Sequence, residues 1–122
     1  MPASPRQHWQ KADRNLDFAK RLKPPDLVSV EWTIVAAFYA SVHYIEEYLV
    51  SKGTGSEGHA ERRGEIDNSR DLRPIRGTYR SLFDECWRVR YDPFATLSTG
   101  DADIAIKDAE RIRDHLKALL KY

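Results

Sequence analysis

A chain of 122 residues with 41% hydrophobic and 32% charged side chains is too apolar for a disordered segment and too charged for a membrane protein. Its length fits one domain, 1–122, with a core of its own. A formal net charge of +1 argues against a protein that coats nucleic acid non-specifically.

The polar segment 1–14 has no apolar signal core, and the longest nearly unbroken apolar run, 34–42, is about half of the roughly 18–20 residues a membrane span needs. A soluble, cytoplasmic protein without membrane association is the expectation. The single cysteine, Cys86, excludes an intramolecular disulfide and reads as a small core residue. Four histidines never cluster with it at zinc-finger spacing, so neither a metal nor another cofactor is expected.

Ser4, Pro5 and Gln7 read as a helix start with a capping serine, a proline at the first helical position and a capping-box glutamine. Trp9, Ala12, Leu16 and Ala19 follow at spacings of three and four, one apolar stripe, and Lys23-Pro24-Pro25 stops the helix. A second helix should start near Asp26 or Ser29 and run to about Lys52. Its middle is apolar in nearly every direction, from Trp32 through Ile34, Val35, Phe38 and Val42 to Ile45, which predicts a central helix wrapped by neighbours. Gly53, Gly55 and Gly58 predict a flexible loop, followed by a short helical turn over 59–66.

A third long helix should begin near Asp71, since Pro74 is tolerable only in a first turn. Leu72, Ile75, Tyr79, Leu82, Cys86 and Val89 mark its core-facing seam, and Arg90-Tyr91-Asp92-Pro93 its end. Thr99 or Asp101 should cap a last helix with the stripe Ala105, Ala109, Ile112, Leu116 and Leu119. No run alternates like a strand. The expected fold is all-α, an up-and-down antiparallel four-helix bundle with a short extra helical turn between helices 2 and 3.

Several polar residues stand out against this frame. His43 lies within the apolar stretch, where it is either a core histidine hydrogen-bonded to a neighbouring helix or a site residue. His59 and Arg62 share one face of a helical turn, a pairing that suits a phosphate and equally suits a solvated loop. Arg90 and Tyr91 combine a phosphate-binding cation with a ring that can stack on a base, or are a favourable helix end. Eight of the 13 arginines lie between positions 62 and 90. Among them Arg73, Arg76 and Arg80 share a helical face that reads as solvated, with Asp84 one turn after Arg80. His8 falls at a frayed helix start and His115 at a surface position. No phosphate loop, nucleophile elbow or His-x-x-x-His metal motif is present.

Glu31-Trp32, Phe38-Tyr39-Ala40-Ser41-Val42-His43, Tyr48-Leu49, His59-x-x-Arg62, Tyr79-x-x-Leu82 and Arg90-Tyr91, in that order, resemble a bacterial group of the HEPN (higher eukaryotes and prokaryotes nucleotide-binding) superfamily over about residues 9–119. The resemblance implies a helical bundle, frequently a homodimer, acting as a metal-independent ribonuclease, a toxin or defence effector, or a helical partner of a nucleotidyltransferase or antitoxin. The ribonuclease branch carries an arginine, four to six residues, then a histidine. None of the histidines here has an arginine at that distance upstream, and Arg111 and His115 are separated by only three residues. The expected activity is therefore binding of RNA, a nucleotide or a protein partner through Tyr39, His43, His59, Arg62, Arg90 and Tyr91. The alternatives are a purely structural dimerisation module and a ribonuclease with a non-standard site.

Overall fold

In a computed structural model, residues 5–22 and 26–122 are described. The cap expected at Ser4 and the stop expected at Lys23, Pro24 and Pro25 lie outside them. Five helices follow in order, α1 (Pro5–Arg21), α2 (Leu27–Ser51), α3 (His59–Asn68), α4 (Arg73–Tyr91) and α5 (Thr99–Leu120), with no strand among the described residues. The short extra turn is thus a helix of ten residues. None of the described helices is long and apolar enough to cross a membrane.

Local chemistry sets the helix ends. Asp26 caps α2, its Oδ1 accepting the Ser29 amide at 2.8 Å. α4 begins at Arg73 with Pro74 in its first turn, where the missing N–H costs nothing. Asp71 instead accepts a 2.5 Å hydrogen bond from the Tyr48 hydroxyl of α2. α5 corrects the expectation of a cap at Thr99 or Asp101. Ser98 is the cap, accepting from the Asp101 amide, while the Asp101 carboxylate accepts the Ser98 amide in a reciprocal box. Ser98→Ala removes half of that exchange and is expected to lower stability by about 1 kcal/mol in urea unfolding.

The predicted stripes are the core. Trp9, Ala12, Leu16 and Ala19 of α1, Ile75, Tyr79, Leu82 and Cys86 of α4, and Ala105, Ala109, Ile112 and Leu116 of α5 are all buried around α2. Leu119 lies at the rim, more than a third exposed, and Ala102 takes its place in the buried seam. Glu47, wholly buried, accepts from the Tyr122 hydroxyl through Oε2, while its Oε1 has no partner among the described residues. Tyr122 in turn meets Trp9 edge-on at 5.1 Å between ring centroids.

The arrangement of the four long helices decides where function can sit. α2 packs against α1, α4 and α5, and α5 against all three others, but the backbones of α1 and α4 do not approach each other closely. The bundle is a flattened rhombus, with α2 and α5 close across its short diagonal and α1 and α4 apart on the long one. Small buried residues on both close helices, Ala37 and Ala40 on α2 and Ala102 and Ala109 on α5, suit such an approach. The expected wrapping of α2 by neighbours holds on three sides, while the flank between α1 and α4 is open, with Trp32 56% exposed.

Candidate functional site

Helical geometry explains which residues occupy the open flank. Trp32, Val35, Tyr39 and His43 recur at spacings of three and four and so lie on one side of α2. α1 borders them with Lys11, Asn15 and Phe18, enclosing a depression of about 420 Å³. α4 borders them with Val89, Arg90 and Tyr91, enclosing a second of about 340 Å³ that shares Trp32 and Val35 with the first. The two are one groove running over α2. Arg90 Nη1 donates to the Tyr39 hydroxyl at 3.1 Å, and its guanidinium carbon stands 5.1 Å from the Tyr91 ring centroid. A cation is thereby fixed at the rim beside an aromatic face that is 55% exposed.

His43 lies at the other end of the groove, paired with a residue that the sequence reading set aside. Its Nδ1 is 3.2 Å from His8 Nδ1, with ring centroids 5.4 Å apart. The centroid separation exceeds the N–N distance by about two ring radii, so the nitrogens meet head-on. One ring donates and the other accepts, a geometry that shares a proton and leaves no room for an ion between them. Burial, then the positive charge of Lys11, with His8 and Arg62 beyond it, push the His43 pKa down to about 4 against the opposing pull of Glu46. The ring is thus held neutral, able to give or take a proton only through its hydrogen bonds.

Behind the groove, a second cluster fixes α3. Arg62 Nε donates to Glu46 Oε1 at 3.1 Å, with both side chains under a tenth exposed. Its Nη1 reaches His59 Nδ1 at 3.0 Å and the Tyr79 hydroxyl at 3.4 Å. An arginine can only donate, so His59 accepts through Nδ1 and carries its proton on Nε2. Glu46 also accepts from the Ser56 hydroxyl and amide, which ties the glycine loop to α2. Burial and the charges of Arg62 and Arg90 lower the His59 pKa, and burial raises that of Tyr79. Phe38 lies among these groups, 5.8 Å from the rings of both His59 and Tyr79.

Tyr39, His43, Arg90 and Tyr91 therefore line the open groove, His59 is exposed beside it, and Arg62 is buried with its donors turned to Glu46, His59 and Tyr79. His115, four residues after Arg111, donates through Nε2 to the Asp71 carbonyl at 2.7 Å. Sequence reasoning missed His8, Lys11 and Glu46. Arg73, Arg76 and Arg80 are exposed, as a solvated face requires, and no ion pair joins Arg80 to Asp84 among the described residues.

A protein-family model described as HEPN domain matches residues 5–119 of this chain. No curated protein matches it.

Proposed function

The chain belongs to the HEPN domain family, and from that premise we propose that it is a module that binds RNA or a nucleotide in the groove over α2 and does not cut it. The observation that carries this reading is the Arg90 guanidinium, held by Tyr39 next to the exposed face of Tyr91. Arginine takes a phosphate through its remaining N–H groups, and an exposed ring accepts a base by stacking. Lys11 supplies a second cation at the far end of the groove, beside His43. His59 is an outer contact, and Arg62 holds the site from behind. Binding without cleavage is supported by the missing arginine–histidine spacing. A bacterial toxin–antitoxin or defence setting, with a nucleotidyltransferase or antitoxin as partner, accords with the FYAxxH pattern, Phe38 to His43.

Fluorescence anisotropy with labelled single-stranded RNA at two salt concentrations tests this. Wild type should bind more weakly at higher salt, and Arg90→Ala should lose about tenfold in affinity, the equivalent of roughly 1.4 kcal/mol. Salt-insensitive or absent binding sinks the reading, and RNA cleavage that disappears in His43→Ala replaces it with a nuclease.

A second reading, a structural dimer, is favoured by the charge layout of the same groove. Glu31 lies at one end and Lys11 at the other. Antiparallel pairing of two α2 flanks about a two-fold axis sets each Glu31 near the Lys11 of the other copy. Sedimentation of the free protein separates the two, since this reading requires a dimer that RNA does not perturb.

A further inference from the structure

The core seam of α4 runs through positions 72, 75, 79, 82, 86 and 89. One residue after each comes a second row, Arg73, Arg76, Arg80, Phe83, Trp87 and Arg90, turned about 100° around the helix from the first. A rotation of that size moves a row from the core to the flank of the helix. Arg73, Arg76, Arg80 and Trp87 are accordingly exposed, and Phe83 half-buried. None of the three N-terminal arginines forms an ion pair or side-chain hydrogen bond among the described residues. Three arginines elsewhere are paired with acids, among them Arg88 with Glu85 at 3.0 Å and Arg113 with Asp114 at 2.9 Å. The row is therefore an unneutralised line of positive charge, despite the near-neutral net charge of the whole chain.

Towards the C-terminal end of α4 the row becomes aromatic. Phe83 and Trp87 are nearly parallel, 18° between planes and 6.4 Å between centroids. Trp87 and Tyr91 follow at 4.4 Å. Arg63 of α3 stands 5.1 Å from the Phe83 centroid, a cation at the edge of the ladder. Trp87 is 58% exposed, an unusual position for an indole. From Arg73 to Arg90 the row measures about 26 Å along the axis, and it ends in the groove at Arg90, next to Tyr91.

We infer that this flank of α4 is a track for single-stranded RNA, with Arg73, Arg76 and Arg80 on successive phosphates and the rings of Phe83, Trp87 and Tyr91 stacking unpaired bases. The inference rests on the reading of the groove as an RNA or nucleotide site and gives a bound strand its path beyond the groove. Charge alone would admit an acidic peptide. The exposed rings of Trp87 and Tyr91, with the half-buried Phe83 behind them, favour a polyanion that carries planar groups of its own. A duplex hides its base faces, so the ladder selects against it.

The test compares anisotropy of a labelled dinucleotide and of an oligouridylate of about eight nucleotides, within the size range of single-strand sites. The longer strand should bind more tightly to wild type. Changing Arg73, Arg76 and Arg80 together to glutamine should remove that advantage and reduce the slope of log affinity against log salt by about 2, at roughly 0.7 per phosphate contact. Dinucleotide binding should be unchanged. Trp87→Leu should weaken octamer binding about tenfold and Trp87→Phe should restore most of it, because stacking needs a ring and not merely apolar bulk. Equal affinity for dinucleotide and octamer, with the triple variant indistinguishable from wild type, overturns the track and leaves the groove reading standing. Equal binding of duplex RNA, or full competition by an oligoglutamate of matching charge, also overturns it. Failure to bind either probe removes the groove reading and the track together.

Discussion

Arg62→Ala is expected to cost about 3–5 kcal/mol of folding stability. The side chains of Arg62 and Glu46 are both under a tenth exposed and meet at 3.1 Å. Removing the guanidinium leaves a carboxylate in a site from which water is nearly excluded. It also strips His59 and the Tyr79 hydroxyl of the donor they share. The Ser56 hydroxyl and amide still face Glu46, so the lower half of the range is the better expectation. Urea unfolding followed by helical circular dichroism measures the loss. Amide exchange should place the first loosening in α3, which packs on the bundle chiefly through Ile66 and this arginine. The double change Arg62→Met with Glu46→Leu should cost clearly less than the single change, because two apolar residues leave no orphaned charge. A single-mutant loss under about 1 kcal/mol would mean that Glu46 is satisfied without Arg62, and α3 would need another anchor.

That expectation reverses the role that spacing alone suggests for Arg62. His59-x-x-Arg62 is visible as a pair because three residues make one helical turn. Glu46, 16 positions upstream, joins them only after the chain has reversed through the glycine loop. A phosphate-binding arginine and a structural arginine have the same local sequence, and the difference lies in a partner that periodicity does not report. The same limit applies to His8, whose significance comes from the antiparallel passage of α1 along α2 that sets it against His43.

The helices themselves were legible because each long one carries a stripe that repeats every three or four residues, and burial follows those stripes closely on α1, α4 and α5. α2 is the instructive exception. An all-round apolar helix signals that every side prefers cover, but it does not say whether the chain supplies a helix for each side. This chain supplies three, and their rhombic packing leaves Trp32, Val35 and Tyr39 partly uncovered. The excess apolar surface on α2 is thus what makes the groove. The arginines at 73, 76 and 80 were equally visible as a row. Each of them is exposed, and no ion pair joins Arg80 to Asp84 one turn on among the described residues.

Acidification supplies the second large effect, an expected loss of about 1–3 kcal/mol between pH 6.5 and pH 4 that traces to His43. The sign follows from proton counting. The unfolded chain takes up a proton at this position near pH 6.5, while the folded chain holds the ring neutral down to about 4. Between those values the unfolded state binds more protons, so stability rises with pH across the window and falls as the solution is acidified. The full shift corresponds to roughly 3 kcal/mol, and the contact of His43 with the open groove reduces it through solvent screening. The surroundings enforce the direction, since α1 presents His8 and Lys11 and α3 presents Arg62, against Glu46 alone on α2. His59, lowered by burial and by Arg62 and Arg90, adds in the same sense. His43→Asn keeps a polar atom opposite His8 without the titration, and the difference between its urea midpoints and those of wild type across pH 4 to 7 isolates the histidine from the carboxylates that titrate at the acid end. Wild type and variant should run together above pH 7 and diverge below 6.5, with the variant losing less. If the two profiles stay parallel throughout, the imidazole is solvated in both states, and the head-on pair with His8 does not hold it neutral.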